Sequence, residues 1–276
     1  MPNAGIPAGV FSALSFGAGD FAGAVAARRA GALAVVAGAH AIGLVALLLA
    51  VLLLQPPPPS LEGALTGLVA GIAGAVGLAA LYRGMSVGAM GLVTALSGAG
   101  SLAIPLIVGA LLGARIGPVQ LVGVGCAAAA AVAASGASRT ELGRRALLLA
   151  GLAALGFGAW YVLIDIAARS GDPLWALVFS RLASASAAAL VSVGRFDRKR
   201  FPLRLVALAG LFDVGGNALY VVARESLPIG LAASLTGMYP IVTMILARVV
   251  LGERLPRLGQ VGVGLALLGV VLISVG

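Results

Sequence analysis

Charge is what this chain has least of. Charged residues make up 10% of its 276 residues and apolar ones 61%, with a mean hydropathy of +1.12. A soluble domain carries about 25% charge. That deficit excludes a water-facing surface and predicts an integral membrane protein. Cysteine is nearly absent too: Cys126 stands in an alanine run, and His40 is the one histidine. A disulfide within the chain is therefore excluded, and a Cys/His zinc site has too few ligands. There is no Gly-rich phosphate loop ending in Gly-Lys-Ser/Thr, so the chain hydrolyses no ATP by that route. No cofactor and no metal is expected.

What the chain does have is apolar length. A membrane-crossing helix needs about 20 residues, and ten such stretches follow one another with short connections. They are read at Ile6–Ala27, Gly31–Leu54, Leu61–Tyr82, Ala89–Leu112, Pro118–Ser135, Ala146–Ala168, Pro173–Gly194, Arg204–Ala223, Pro228–Leu251 and Pro256–Val275. Backbone polar groups find no water in hydrocarbon, and a barrel strand would alternate in polarity, so the runs read as helices. The first run has no basic residues ahead of it and no cleavage-like site after it, so a removable signal peptide is not expected. Glycines at small-xxx-small spacing, such as Gly63, Gly67 and Gly71, suit close helix packing.

The net charge of +9 would suggest nucleic acid in a soluble protein, but here the basic residues flank the spans. No nucleic-acid partner is expected. The connections after spans 1, 3, 5, 7 and 9 hold thirteen basic residues, and the opposite side holds three: Arg115, Arg169 and Arg224. The positive-inside rule then puts the odd-numbered connections in the cytoplasm and both termini outside.

The last five spans repeat the first five. An offset of 141 sets Phe16-Gly17-Ala18 on Phe157-Gly158-Ala159 and His40 on Arg181, and an offset of 139 sets Gly91-Leu92 on Gly230-Leu231 and Gly123-Val124-Gly125 on Gly262-Val263-Gly264. The connection Gln55–Ser60 has no basic residue, whereas its counterpart between Arg195 and Arg204 has five. Opposite charge signals on equivalent connections are what an inverted repeat requires. The predicted fold is all-α, ten transmembrane helices in two inverted five-helix repeats, residues 1–138 and 146–276.

Two five-span halves, each opening near Phe-Gly-Ala and closing with a Gly-x-Arg turn before a glycine-rich helix, resemble the EamA family of the drug/metabolite transporter superfamily. Pro228–Gly276, with Gly252-Glu253-Arg254-Leu255 between its helices, carries the resemblance most strongly; the first half departs from it with Ala114 where the second has Glu253. The resemblance implies a secondary transporter in the cytoplasmic membrane, without enzymatic activity, moving a small amphipathic solute by alternating access. Amino-acid or related metabolite export is the expected activity, and multidrug or cation efflux the alternative. It further implies a cavity formed by the first, third and fourth helices of each half. On this chain that points to Ser15, Phe16, Ser97, Ser101, Trp160, Asp213, Asn217, Thr236 and Tyr239 as substrate-binding.

Ionisable residues at membrane depth are costly and mark function or pairing. Five stand out: Asp20, His40, Asp165, Arg181 and Asp213. Asp213, Asn217 and Tyr220 form one polar stripe. Arg181 is suited to a solute carboxylate, or to a structural ion pair with Asp165 or Asp213. His40 either carries protons or bonds a carbonyl or serine on a neighbouring helix. Asp20 is either interfacial or, with His40 and Asp213, a candidate for proton coupling. Pro105 and Pro240, near-equivalent in the two halves, predict broken helices at a midplane site. Ser97-Gly98 with His40 would be the nearest thing to a serine and its base, but no metal or Gly-x-Ser setting accompanies them, so an intramembrane enzyme is the rival class and a nontransporting scaffold the third. Oligomeric state, monomer or homodimer, is not specified by the glycine faces.

Overall fold

The computed structural model describes residues 5–88, 90–113, 115–137, 141–193, 201–227, 232 and 235–275. Within them the chain forms ten α-helices and no strand: α1 (Gly5–Ala30), α2 (Ala32–Leu54), α3 (Leu61–Val87), α4 (Met90–Leu111), α5 (Pro118–Ala137), α6 (Glu141–Arg169), α7 (Pro173–Ser192), α8 (Leu203–Ser226), α9 (Tyr239–Leu251) and α10 (Arg257–Val275). Eight of them are long and apolar enough to cross a bilayer, and α9 and the described part of α5 are shorter. Leu53, Leu111 and Leu112 are 80%, 82% and 84% exposed, an unfavourable surface in water and an ordinary one against lipid tails.

Local chemistry sets the helix ends. The Ser60 hydroxyl accepts from the Gly63 amide and starts α3 after the proline run, and Asp172 likewise accepts from Leu174 ahead of Pro173 on α7. A single residue, Gly31, joins α1 to α2 at φ 82°, a conformation glycine adopts without penalty. α9 ends on Gly252 in the left-handed region, φ 68°, and that cap swings Glu253 back toward the bundle.

One expectation needs correction. Pro105 does not break its helix: α4 runs through it from Met90 to Leu111, the proline removing one amide bond without ending the coil. The ninth span is broken beside Pro240, as expected. Leu235 and Thr236 are helical, Gly237-Met238 form a turn, and α9 starts at Tyr239 with Pro240 in its first turn, where a missing N–H costs nothing because that donor has no intrahelical partner. Residues 228–231, 233, 234 and Ala114 lie outside the described residues.

The packing has a regularity. α1 lies on α8 as α3 lies on α6; α4 on α6 as α9 on α1; α3 on α7 as α8 on α2; and α2 packs on α7, α4 on α9 and α5 on α10. Exchanging helix n with helix n+5 turns this set of pairings into itself. The departures are that α10 also packs on α4, and that α1 packs on α3, α3 on α4 and α2 on α3 with no comparable contact of α6 with α8, α8 with α9 or α7 with α8 among the described residues. The contacts are close where glycine permits. A Cβ added to Gly71 would collide with the carbonyl oxygen of Ser180 on α7, so α3 and α7 touch backbone to backbone.

The core is unevenly distributed along the helices. One end of the bundle, where α1, α3, α7 and α9 finish, carries Arg28, Arg29, Arg83, Arg144 and Arg145, and is called here the basic end. The main buried cluster includes Ala22–Ala27 members of α1, Val35 and Val36 of α2, Leu78–Met85 members of α3, Met90 and Val93 of α4, Ala146–Ala153 members of α6, Val206 of α8 and Ala247 of α9. Each of these lies in the part of its helix nearer the basic end. Among the described residues the buried cluster at the opposite end is Ala8, Ala223 and Ala232, and a third cluster, which includes Ala130, Val263 and Val270, joins α4, α5 and α10. The larger part of the buried core therefore seals the basic end.

Candidate functional site

Above that seal, midway along the helices, the ionisable residues of α1, α2, α7 and α8 meet. Arg181 donates from one guanidinium nitrogen to Asp213 of α8 and lies 2.7 Å from His40 Nε2 of α2 with the other. The guanidinium is a permanent donor, so Nε2 must accept. The imidazole proton then sits on Nδ1 and is donated to the Ser184 hydroxyl 2.6 Å away, which in turn donates to the Arg181 carbonyl at 3.1 Å. Both ring nitrogens are thus engaged in the neutral tautomer. His40 and Arg181 are the pair set against each other by the 141-residue offset. Through that contact the cluster joins α2, among the first five helices, to α7, among the last five.

Of the two partners expected for Arg181, the acid is Asp213. Asp165 instead pairs with Arg169 at 2.8 Å, near the end of α6 where the two side chains are 59% and 79% accessible. It does not reach the cluster because α6 carries it to the surface.

Asp20 of α1 is half-buried, and no hydrogen bond or ion pair engages it among the described residues. It lies within electrostatic range of Asp213, Tyr82, Tyr161 and Tyr239. Tyr161 is 43% exposed although mid-helix and within range of Asp20, Asp213 and Tyr220, as the wall of a solvent-reached space would be. Phe16 packs on Gly216 of α8 and edge-on against Tyr239, with ring centroids 6.4 Å apart. The Tyr239 hydroxyl occupies the place where Gly98 of α4 lacks a side chain. Trp160 packs beside Gly74 and edge-on to Tyr161 at 5.2 Å.

The two halves furnish this space differently. Asp20 and Tyr161 are equivalent by the 141-residue offset, and Gly74 and Asp213 by the 139-residue offset. One wall therefore presents two carboxylates, while the equivalent wall presents Trp160 and Tyr161. Arg181 pairs with one of those carboxylates, Asp213, and no cation pairs with Asp20 among the described residues.

The hydroxyls predicted for the site point elsewhere. Ser15 donates to the Phe212 carbonyl at 2.7 Å, Ser97 to Val93 at 2.8 Å and Ala150 at 3.3 Å, and Ser101 to Gly98 at 2.9 Å. Asn217 donates to the Asp213 carbonyl at 2.7 Å, and the Trp160 indole to the Ser180 hydroxyl at 2.9 Å. The bonds of Ser15, Trp160 and the longer one of Ser97 tie helices together, whereas those of Ser101 and Asn217 stay within their own helices. Thr236 differs: its hydroxyl is buried without a partner among the described residues. Ser97 and His40, the imagined serine and base, are each bonded to other groups. Sequence reading missed Ser180 and Ser184, whose spacing about Arg181 on α7 puts all three within one turn; that i, i+4 spacing was the available signal.

At the basic end one contact joins the halves. Glu253, between α9 and α10, accepts from the Met90 amide at 3.1 Å and from Gly91 at the start of α4. Burial pushes its carboxyl up, against the opposite pull of those two amides and of Arg28.

Residues 144–275 match the EamA-like transporter family, part of the drug/metabolite transporter superfamily. No curated protein matches the chain. A solved structure titled only "Crystal structure of protein" is similar in fold, with a TM-score of 0.64 over 99% of this chain and 98% of that one at 17% identity. The family match and the apolar helices support a multi-span membrane transporter of the drug/metabolite type.

Proposed function

We propose that this protein is a secondary transporter of two inverted five-helix halves, residues 1–138 and 146–276, that exports a small amphipathic solute bearing an amino group. Amino acids and related metabolites are the preferred class. The observation that carries the reading is the acid wall facing an aromatic wall where the halves meet. An ammonium group is held by Asp20, and the apolar part of the solute lies against Phe16, Trp160, Tyr161 and Tyr239. The exchange of helix n for n+5 in the packing supports the repeat, and the charges of the equivalent connections support its inversion. One observation favours a second reading, cation efflux: Arg181 is already paired with Asp213, which leaves a solute carboxylate no unpaired guanidinium. We assign no catalytic role to any residue.

Counterflow in proteoliposomes, with amino acids, a quaternary cation and a purine as separate arms, distinguishes these. Saturable exchange of an amino acid supports the first reading, exchange of the cation alone supports the second, and exchange of none sinks both. The basic end is taken as cytoplasmic and both termini as external; cytoplasmic reactivity of tags at both termini would reverse that assignment.

Alternating access requires the sealed end to open. In this reading Glu253 latches it, because its bonds to the start of α4 hold the second half against the first. Loss of such a cap is worth about 1 kcal/mol, roughly fivefold in a conformational equilibrium. Glu253→Ala is expected to raise modification of a cysteine placed at Tyr161 from the basic side by about that factor. Because burial raises the Glu253 carboxyl, ionisation works against the closed form, and falling pH favours closure. Glu253→Gln, a neutral acceptor, should therefore stay latched. Equal labelling of the alanine variant and the parent would remove the latch.

A further inference from the structure

Behind α4, on the side away from the candidate site, α4, α5 and α6 enclose a groove of about 320 Å³. Leu96 and Gly100 of α4, Val124 and Ala131 of α5, and Leu147 and Gly151 of α6 face it, and every lining residue is alanine, glycine, leucine or valine. The groove offers no polar side chain, so in a bilayer it takes hydrocarbon. It extends for about 10 Å along α6 from Leu147 to Ala154, and its lower end lies toward the basic end of the bundle. There, one turn before Leu147 on the same helical face, stands Arg144, exposed, with exposed Arg145 beside it. An apolar slot as long as part of an acyl chain, with guanidinium groups at its mouth, is complementary to one chemistry.

We propose that an anionic phospholipid docks here, one acyl chain in the groove and its phosphate on Arg144 and Arg145. The lipid would lie against the back of a cavity wall. Leu96 and Gly100 face the groove, whereas Gly98 between them meets the Tyr239 hydroxyl. Ser97, by its bond to the Ala150 carbonyl at 3.3 Å, joins the two helices that the chain would wedge between. The bound lipid thus props α4 in the position from which it contacts α9.

The probe is phosphatidylglycerol compared with phosphatidylcholine of identical acyl chains, titrated onto the delipidated full-length protein and counted by native mass spectrometry. The parent is expected to retain phosphatidylglycerol, and Arg144→Gln to lower that retention about fivefold toward the phosphatidylcholine level, as loss of one basic residue at an anionic headgroup implies. Gly151→Leu fills the slot and should abolish retention of both lipids. A Cβ at Gly151 meets nothing within 4 Å, so the variant has room to fold. Gly125→Leu on α5, equally unobstructed and outside the lining, serves as control and should behave as the parent. Equal retention of the two lipids by the parent, or undiminished phosphatidylglycerol on Gly151→Leu, would overturn the proposal. None of these readouts depends on which solute is carried.

Discussion

Arg181→Ala is expected to lower stability by about 3 kcal/mol, the lower end of the range for breaking a buried ion pair by removing one partner. The lower end applies because Asp213 keeps a quarter of its side chain accessible while Arg181 keeps a tenth. The variant leaves Asp213 without its cation and His40 Nε2 without its donor, and two uncompensated polar groups at membrane depth are what the loss consists of. The double variant Arg181→Met, Asp213→Leu removes both charges together and should recover most of the stability in detergent melting. It should not recover transport, because the remaining acid on that wall then lacks the positive charge beside it. Single and double variants melting alike would mean that the pair is not coupled in the folded state.

Asp20→Asn is expected to separate movement of solute from the proton gradient. Asp20 is the intramembrane acid without a partner among the described residues, facing Asp213 and the hydroxyls of Tyr82, Tyr161 and Tyr239. Asp213 is held by Arg181, and His40 is bonded at both nitrogens, so of the three candidates for coupling Asp20 is the one with a site for a proton to occupy. With one proton exchanged per solute, each pH unit across the membrane sustains about a tenfold solute gradient. Asp20→Asn should reduce that tenfold response to none and leave counterflow only at raised solute concentration, since the ammonium loses its carboxylate, and Asp20→Glu should restore both. A pH-driven gradient undiminished in Asp20→Asn would end the role of this carboxylate, and a loss confined to Asp213→Asn would move coupling to the paired acid.

Much of this architecture is legible without coordinates. Helices, their approximate ends and the side on which basic residues gather follow from hydropathy and composition, which are properties of each segment by itself. Other features resist such reading. Ser15, Ser97 and Ser101 look like cavity hydroxyls in the sequence, but on helices whose faces are almost uniformly small and apolar nothing in the pattern fixes rotation about the helix axis. Their hydroxyls therefore turn to the nearest carbonyl, that of Phe212 on a neighbouring helix for Ser15 and one a turn back on α4 for Ser97 and Ser101. The break in the ninth span is legible from Pro240, although it falls at Gly237-Met238 and leaves the proline in the first turn of α9.

The sequence by itself determined a membrane protein of ten apolar helices with basic residues gathered in their connections, because the cost of placing a residue in hydrocarbon depends on the residue and its immediate neighbours. Only the tertiary structure decided that Asp213 rather than Asp165 holds Arg181, that Asp20 has no bonded partner among the described residues, and that the larger part of the buried core lies at the basic end beside Glu253. Those outcomes depend on which glycine faces come together and how closely, and a Gly71 that brings α3 onto the Ser180 carbonyl is spelled like any other glycine in the chain.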